Sequence, residues 1–260
     1  MPDTVRVHLG RPVHCSGWPE VTGITNIFYI SKSYVSALPK AKLTLRRLLK
    51  MLDVHCFPLG PLQTNCFLIS KANRALVVDP GGDPKVLLDH LRQHELRVEY
   101  ILNTHFHFDH ILGNNPLQDA TGAPILASEK DDFLLQSQVG SGGGMFGFPK
   151  VELFRYESIA PGERQFLEET CRILSTPGHT PGSLSFYFPE SGMIFSGDVL
   201  FQRSIGRTDF PMGDTKTLLS AIQEKIFTLP PETRVFSGHG PETSAGEEKK
   251  FNPFFQGEFL

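Results

Sequence analysis

An α/β fold is the class this sequence predicts, and three observations carry it. Short apolar runs recur along the chain, each closing on a loop of Gly, Pro or polar residues, as strands do where a rigid scaffold presents a site. Two longer stretches repeat apolar residues at helical spacing. The composition, 40% hydrophobic over 260 residues, is that of a soluble globular chain able to bury a full core. No apolar run approaches the roughly 18 residues of a membrane span, and no short internal repeat is visible.

Charge divides the chain before any element is assigned. Residues 1–50 hold eight Lys or Arg and two acidic residues, a net of +6; the remainder holds 17 basic and 26 acidic residues, a net of −9. Residues 1–50 are read as an N-terminal extension, and residues 51–260 as the functional domain. The extension lacks the long apolar core of a secretory signal. Two accounts of it stay open, an upstream start codon ahead of Met51 and a transit-like segment. The four cysteines, Cys15, Cys56, Cys66 and Cys171, show no paired spacing, which fits reduced thiols and a cytoplasmic location.

Within the domain, residues 65–69 and 75–78 read as neighbouring strands with a turn at Lys71-Ala72-Asn73. Residues 84–94 read as a helix: Pro84 suits the first turn, and Val86, Leu87, His90 and Leu91 make one face. His90 and His94, four apart there, are either a metal pair or a solvated edge. Residues 128–138 read as helical. The Gly-rich stretch 140–149, with Phe146 and Phe148, is either a flap over a cleft or a connection whose aromatics pack locally. It lacks the Gly-Lys-Ser/Thr ending of a phosphate loop. Residues 215–227 read as a second helix, with Leu218, Leu219, Ile222 and Ile226 buried and Pro230-Pro231 ending it.

The most informative stretch is Thr104-His105-Phe106-His107-Phe108-Asp109-His110, directly after the apolar run Tyr100-Ile101-Leu102. His105 and His107 fall on one side of an extended segment, because side chains alternate with period two. Asp109 and His110 follow at the turn and can face a second ion. Imidazole and carboxylate together suit borderline metals such as Zn²⁺ and Fe²⁺. Further along, His179 follows the run 171–174, Asp198 the run 193–195 and His239 the run 234–236, each in a loop with Gly or Pro. Singly these are ordinary turns; in this order they make a constellation.

The order His-x-His-x-Asp-His, Gly-His, Gly-Asp, Gly-His resembles the metallo-β-lactamase superfamily over residues 51–254. The resemblance implies a four-layer αβ/βα sandwich, in one domain, with a two-metal site on one edge of the sheets. It implies that His105, His107 and His179 hold the first metal. Asp109, His110 and His239 would hold the second, and Asp198 would bridge them. Asp79, ahead of Pro80-Gly81-Gly82, matches the acidic residue that steadies the His-x-His loop, a position also open to a turn Asp. Two Zn²⁺ are implied, with Fe or Mn as alternatives on the same ligands. A bridging hydroxide would attack an electrophilic carbonyl, and Asp109 would act catalytically by orienting it and relaying a proton.

The stretches 195–201 and 204–210 resemble the glyoxalase II branch, which implies a small thioester such as S-D-lactoylglutathione as substrate. Arg207 stands where that branch has a glutathione-contacting Lys, so it either binds a substrate carboxylate or pairs with Asp209 or Asp214. Gly238-His239-Gly240-Pro241 departs from the branch's Gly-His-Glu-Tyr, and the ending Asn252-Pro253-Phe254 resembles the short bacterial glyoxalase-II-like hydrolases. Three alternatives stand beside the thioesterase. Gly206-Arg207-Thr208-Asp209-Phe210 also occurs in the persulfide dioxygenase branch, which uses one iron. Thr104 to Gly113 is shared with the tRNA 3′-end nucleases, although an acidic body disfavours a nucleic-acid partner. A non-catalytic binding module on the same scaffold is the third. No membrane partner is expected, and the oligomeric state is left open.

Overall fold

The computed structural model describes residues 4–6, 29–31, 52–142 and 147–257. The chain divides into two units, Met1–Met51 and Leu52–Leu260. In the first, β1 (Thr4–Arg6) and β2 (Tyr29–Ser31) pair antiparallel. The two accounts of the extension otherwise fall on residues outside those described, as does Cys15.

The second unit carries two six-stranded sheets. In the first sheet, β3 (Asp53–Leu59), β4 (Thr64–Lys71) and β5 (Arg74–Val78) form an antiparallel meander. The turn expected at Lys71-Ala72-Asn73 joins β4 to β5, with Ala72 left-handed at φ 56°. β6 (Arg97–Leu102), β7 (Ile125–Ala127) and β8 (Tyr156–Ser158) extend the sheet in parallel. Parallel neighbours need crossovers. These carry α1 (Lys85–Gln93), α2 (Phe108–Ile111), α3 (Asn114–Thr121), α4 (Asp132–Leu135) and α5 (Gln138–Ser141).

The second sheet begins with β9 (Gly162–Phe166), β10 (Glu169–Ser175), β11 (Leu184–Phe188) and β12 (Met193–Gly197), all antiparallel neighbours. A small ribbon follows, β13 (Leu200–Phe201) with β14 (Ser204–Ile205). Then come α6 (Thr215–Ala221), β15 (Arg234–Ser237) parallel to β12, β16 (Thr243–Ser244) and α7 (Ala245–Phe251).

Alternation along β4 explains the layering. Phe67 and Ile69 join the core between the sheets, with Phe186, Phe195 and Phe236. Cys66 and Leu68 point the other way, onto Leu87 and Leu91 of α1. On the second sheet, Ile194 and Val235 face outward onto Leu218, Ile222 and Ile226. The order is helices, sheet, sheet, helices, the four-layer sandwich expected. Phe195, fully buried, stacks on Phe236 at 4.9 Å between centroids. Truncating such a ring to Ala costs about 3–5 kcal/mol.

Three elements differ from expectation. Val86 is 55% exposed, because α1 turns Leu87 and Leu91, not Val86, onto the sheet. The helix expected over 128–138 is broken into a 3₁₀ turn (Glu129–Asp131), α4 and α5. The break follows from Asp131, whose carboxylate is drawn inward by the backbone N–H of Gly182 at 2.6 Å and the hydroxyl of Thr180 at 2.7 Å. The helix expected over 215–227 is α6 followed by one wide π turn, Ile222–Ile226, with Leu219 only half-buried. In the Gly-rich stretch, residues 143–146 lie outside the described residues, and Phe148 stacks on Phe108 at 4.9 Å. Among the described residues no helix is long and apolar enough to cross a membrane.

Candidate metal centre

Strand direction gathers the sequence-predicted residues at one end of both sheets. β5 and β6 are parallel and end at Asp79 and at the His105 loop. β10, β12 and β15 share one direction and end before His179, Asp198 and His239. α2, only four residues long, carries Asp109 and His110, both buried.

Three groups of ligand-capable atoms result, each gathered within 4.8 Å: His105, His107 and His179; His105, His110 and Asp198; Asp109, His110 and His239. In the first, His105 Nε2 lies 3.0 Å from His107 Nδ1, while His179 Nε2 is 3.2 Å from His105 Nε2 and 2.9 Å from His107 Nδ1. A triangle of three nitrogens cannot be hydrogen-bonded on every side, since at least one side joins two donors or two acceptors. Here the like pair can be named. His179 Nδ1 donates to the carbonyl of Arg207 at 2.7 Å, so its neutral Nε2 holds a lone pair. Thr104 Oγ1 donates to Asp79 at 2.6 Å and so accepts from His105 Nδ1 at 3.0 Å, leaving His105 Nε2 a lone pair as well. Two lone pairs aimed at each other repel, and a cation between them would turn that repulsion into attraction. Tetrahedral zinc with bonds near 2.0–2.1 Å would space its nitrogens by about 3.3 Å, close to these separations.

The second cluster pairs imidazoles with carboxylates instead. His110 Nδ1 donates to Asp79 Oδ2 at 3.0 Å, so its buried Nε2 faces Asp198 Oδ1 at 3.3 Å with no hydrogen bond of its own. His239 Nε2 lies 3.1 Å from Asp109 Oδ2. Asp198 spans the two clusters, one oxygen on His110 and the other 3.7 Å from His179 and 3.6 Å from His239. Gly238 lets this happen: a Cβ there would sit 2.3 Å from Asp198 Oδ1 and 2.6 Å from His110 Cε1. Two buried atoms with no hydrogen bond, His110 Nε2 and Asp198 Oδ1, fit residues built to hold a cation.

Charge sorts the histidines. Burial, reinforced by the surrounding imidazoles, holds His105 well below the ordinary histidine pKa. Burial also lowers His107, to about 3, and lowers His179. These three are neutral and ligand-competent. Burial likewise opposes a charge on His110, but Asp198, Asp109 and Asp79 outweigh it and raise its pKa well above the usual value. Burial would push Asp109 and Asp198 up, yet His110 and His239 hold both carboxylates below the usual range.

Asp79 does more than brace one ring. It also accepts from the Thr104 backbone N–H at 2.8 Å, so it pins the start of the motif loop and the tautomers of both His105 and His110. It holds a left-handed φ of 50°, a conformation Asp tolerates better than most residues.

Sequence reasoning missed three supports. Thr64 Oγ1 donates to Asp109 Oδ2 at 2.9 Å. Asn65 ties the His239 loop to β4: its side chain donates to the carbonyls of Ser237 and Gly240, each at 2.9 Å, and its backbone N–H to that of Gly238 at 2.7 Å. Asp131, fully buried, joins the loop after His179 to Phe106, whose N–H it accepts at 3.4 Å. The available signal was slight, a Thr-Asn pair opening a strand and an Asp in a capped turn.

Arg207 realises the structural alternative left open by the sequence. Its guanidinium forks onto Asp209 with two bonds of 2.7 Å and lies 3.9 Å above the Phe210 ring. Its backbone carbonyl, not its side chain, reaches the centre, through His179.

Comparison with known proteins agrees with this architecture. The metallo-beta-lactamase superfamily pattern matches residues 59–239. The hydroxyacylglutathione hydrolase GloC of Haemophilus influenzae is 37% identical over 208 residues, 78% of this chain and 98% of that protein. The solved B3 metallo-beta-lactamase BLEG-1 superposes with a TM-score of 0.74 at 37% identity, covering 79% of this chain and 100% of its own. TTHA1623, solved in a di-iron-bound form, gives a TM-score of 0.70 at 37% identity, covering 77% and 100%. With two sheets between helix layers and a His/Asp cluster at their shared end, the chain belongs to the metallo-β-lactamase superfamily and is a metal-dependent hydrolase.

Proposed function

We propose that this protein hydrolyses small thioesters of the S-D-lactoylglutathione kind at a centre of two Zn²⁺. His105, His107 and His179 would hold one ion, Asp109, His110 and His239 the other, with Asp198 between them. The observation that carries the reading is the pair of ligand clusters sharing Asp198 at one sheet end. The likeness to the hydroxyacylglutathione hydrolase GloC supports the substrate class.

When bound, the two cations supply Lewis acidity toward the acyl oxygen and a nucleophilic water near neutral pH. The chain's own residues do the rest. Asp109 stays ionised, because His110 and His239 outweigh its burial, so it can accept a proton as water's oxygen bonds to the acyl carbon. Thr64 holds one of its oxygens. The C–S bond then breaks, and the proton passes to the departing thiolate, leaving a carboxylic acid and a thiol. Asp79, through Thr104 and His110, keeps two imidazole nitrogens turned into the centre. Phe210, its ring 5.3 Å from His107, offers an apolar wall beside the first cluster.

The test is hydrolysis of S-D-lactoylglutathione by purified protein of measured metal content. Turnover that scales with occupancy up to about two metals per chain is expected. Negligible turnover at full occupancy would overturn the thioesterase reading. Oxygen uptake with a persulfide at one iron per chain would replace it with the dioxygenase alternative, whose motif this chain shares over Gly206-Arg207-Thr208-Asp209-Phe210.

A further inference from the structure

Outside the catalytic end, three histidines gather on the helix-covered face of the first sheet. His90 lies on α1 and His94 just past it, with ring centroids 4.3 Å apart. From β3, His55 brings its ring to 4.8 Å from His90. The strand register explains the meeting: His55 pairs with Leu68, whose side chain belongs to the core beneath α1. Phe57, two residues on and therefore on the same face, packs edge-on against His90 at 5.3 Å. α1 leaves the metal-centre end after β5 and runs back along the sheet, so His90 and His94 lie toward the opposite end. They take no part in the chemistry above.

Several features distinguish this trio from a solvated helix edge. His90 and His94 stand four apart, the spacing at which two histidines on one helix side can share a zinc ion. Burial, with His55 and His94 adding to it, lowers the His90 pKa, so its imidazole is neutral at pH 7 and free to ligate. His55 Nδ1 is buried with no hydrogen bond, and the nearest charge is the Asp53 carboxylate at 3.8 Å.

We propose that His55, His90 and His94 form a separate site for a borderline divalent cation such as Zn²⁺, clipping α1 to the edge strand β3. Three imidazoles suit that class of ion, and Asp53 beside His55 offsets its charge. The nitrogens of this trio are not drawn together as those of the catalytic clusters are. Closure therefore takes rotation of His94, which is exposed and free to change rotamer.

The experiment titrates Zn²⁺ into protein whose catalytic centre is already filled, with calorimetry as the readout. Wild type is expected to bind one further equivalent and to melt at a higher temperature with it. His94→Gln, an exposed change that spares the packing of His90 on Phe57, is expected to weaken that equivalent by at least about tenfold, or 1.4 kcal/mol. Thioester turnover should stay at the wild-type rate. His90→Gln should do the same, and Cu²⁺ bound at the site should show nitrogen hyperfine coupling that falls by one imidazole in either variant. Identical isotherms for wild type and His94→Gln, or no extra equivalent in wild type, would overturn the proposal.

Discussion

Replacing Asp131 by Ala tests whether the centre depends on a residue that touches no ligand imidazole. The carboxylate accepts from Gly182 N–H at 2.6 Å, Thr180 Oγ1 at 2.7 Å and Phe106 N–H at 3.4 Å. In the variant, the Thr180 hydroxyl keeps Ser183 Oγ at 2.8 Å, so two buried N–H groups are orphaned. Each orphan costs about 1–3 kcal/mol, and the longer Phe106 bond belongs at the low end, which makes the total about 2–4 kcal/mol. For a domain of this size, the melting temperature of metal-free protein should fall by roughly 5–15 °C. The orphans lie in the two loops that carry His105, His107 and His179, so zinc affinity should fall about 10- to 100-fold in a chelator competition. The loss also has a pH signature. Burial pushes the Asp131 carboxyl up to about 6, above its unfolded value, despite its three hydrogen bonds. Its contribution is therefore fully present below the unfolded pKa and declines as pH rises through about 6. The stability gap between wild type and variant should be largest near pH 4 and shrink toward pH 8. An unchanged melting temperature with unchanged zinc affinity would refute the reasoning, as would a gap that widens above pH 6.

Other outcomes follow from the same geometry. Asp198→Ala or His107→Ala should remove bound metal and turnover together; normal turnover in either would be fatal to the centre as assigned. Gly238→Ala should fold yet lose metal, since its Cβ would stand 2.3 Å from Asp198 Oδ1; full occupancy by elemental analysis would contradict this. Metal-free protein should lose stability as pH falls below 6.5, because buried His107, lowered to about 3 mainly by burial, stays neutral while its unfolded form takes up a proton. His107→Gln should flatten that acid limb by an amount on the order of a few kcal/mol in urea melts; an unaltered limb would contradict it. Arg207→Met should raise KM for a glutathione thioester by no more than about fivefold, because Asp209 already engages the exposed fork and such pairs are worth roughly 0–1 kcal/mol. A much larger rise would give the guanidinium to the substrate.

The sequence by itself determined several strands and helices and the side chains that meet at the sheet end, while the sandwich came from the resemblance that the motif order carries. That much was legible because its causes are local. Period-two alternation along β4 and helical spacing along α1 set which faces pack. Six consecutive residues carry four of the seven ligand-capable side chains, and the other three each end a strand. Tertiary structure alone decided what holds them. Thr64 reaches Asp109 across 45 residues, Asp131 reaches Gly182 across 51, and Asn65 reaches Ser237 across 172. Hydrogen bonds over such separations leave no periodicity to read. The same reason placed His55 beside the His90–His94 pair: a strand's neighbours across a helix are set by packing, not by its own order of residues.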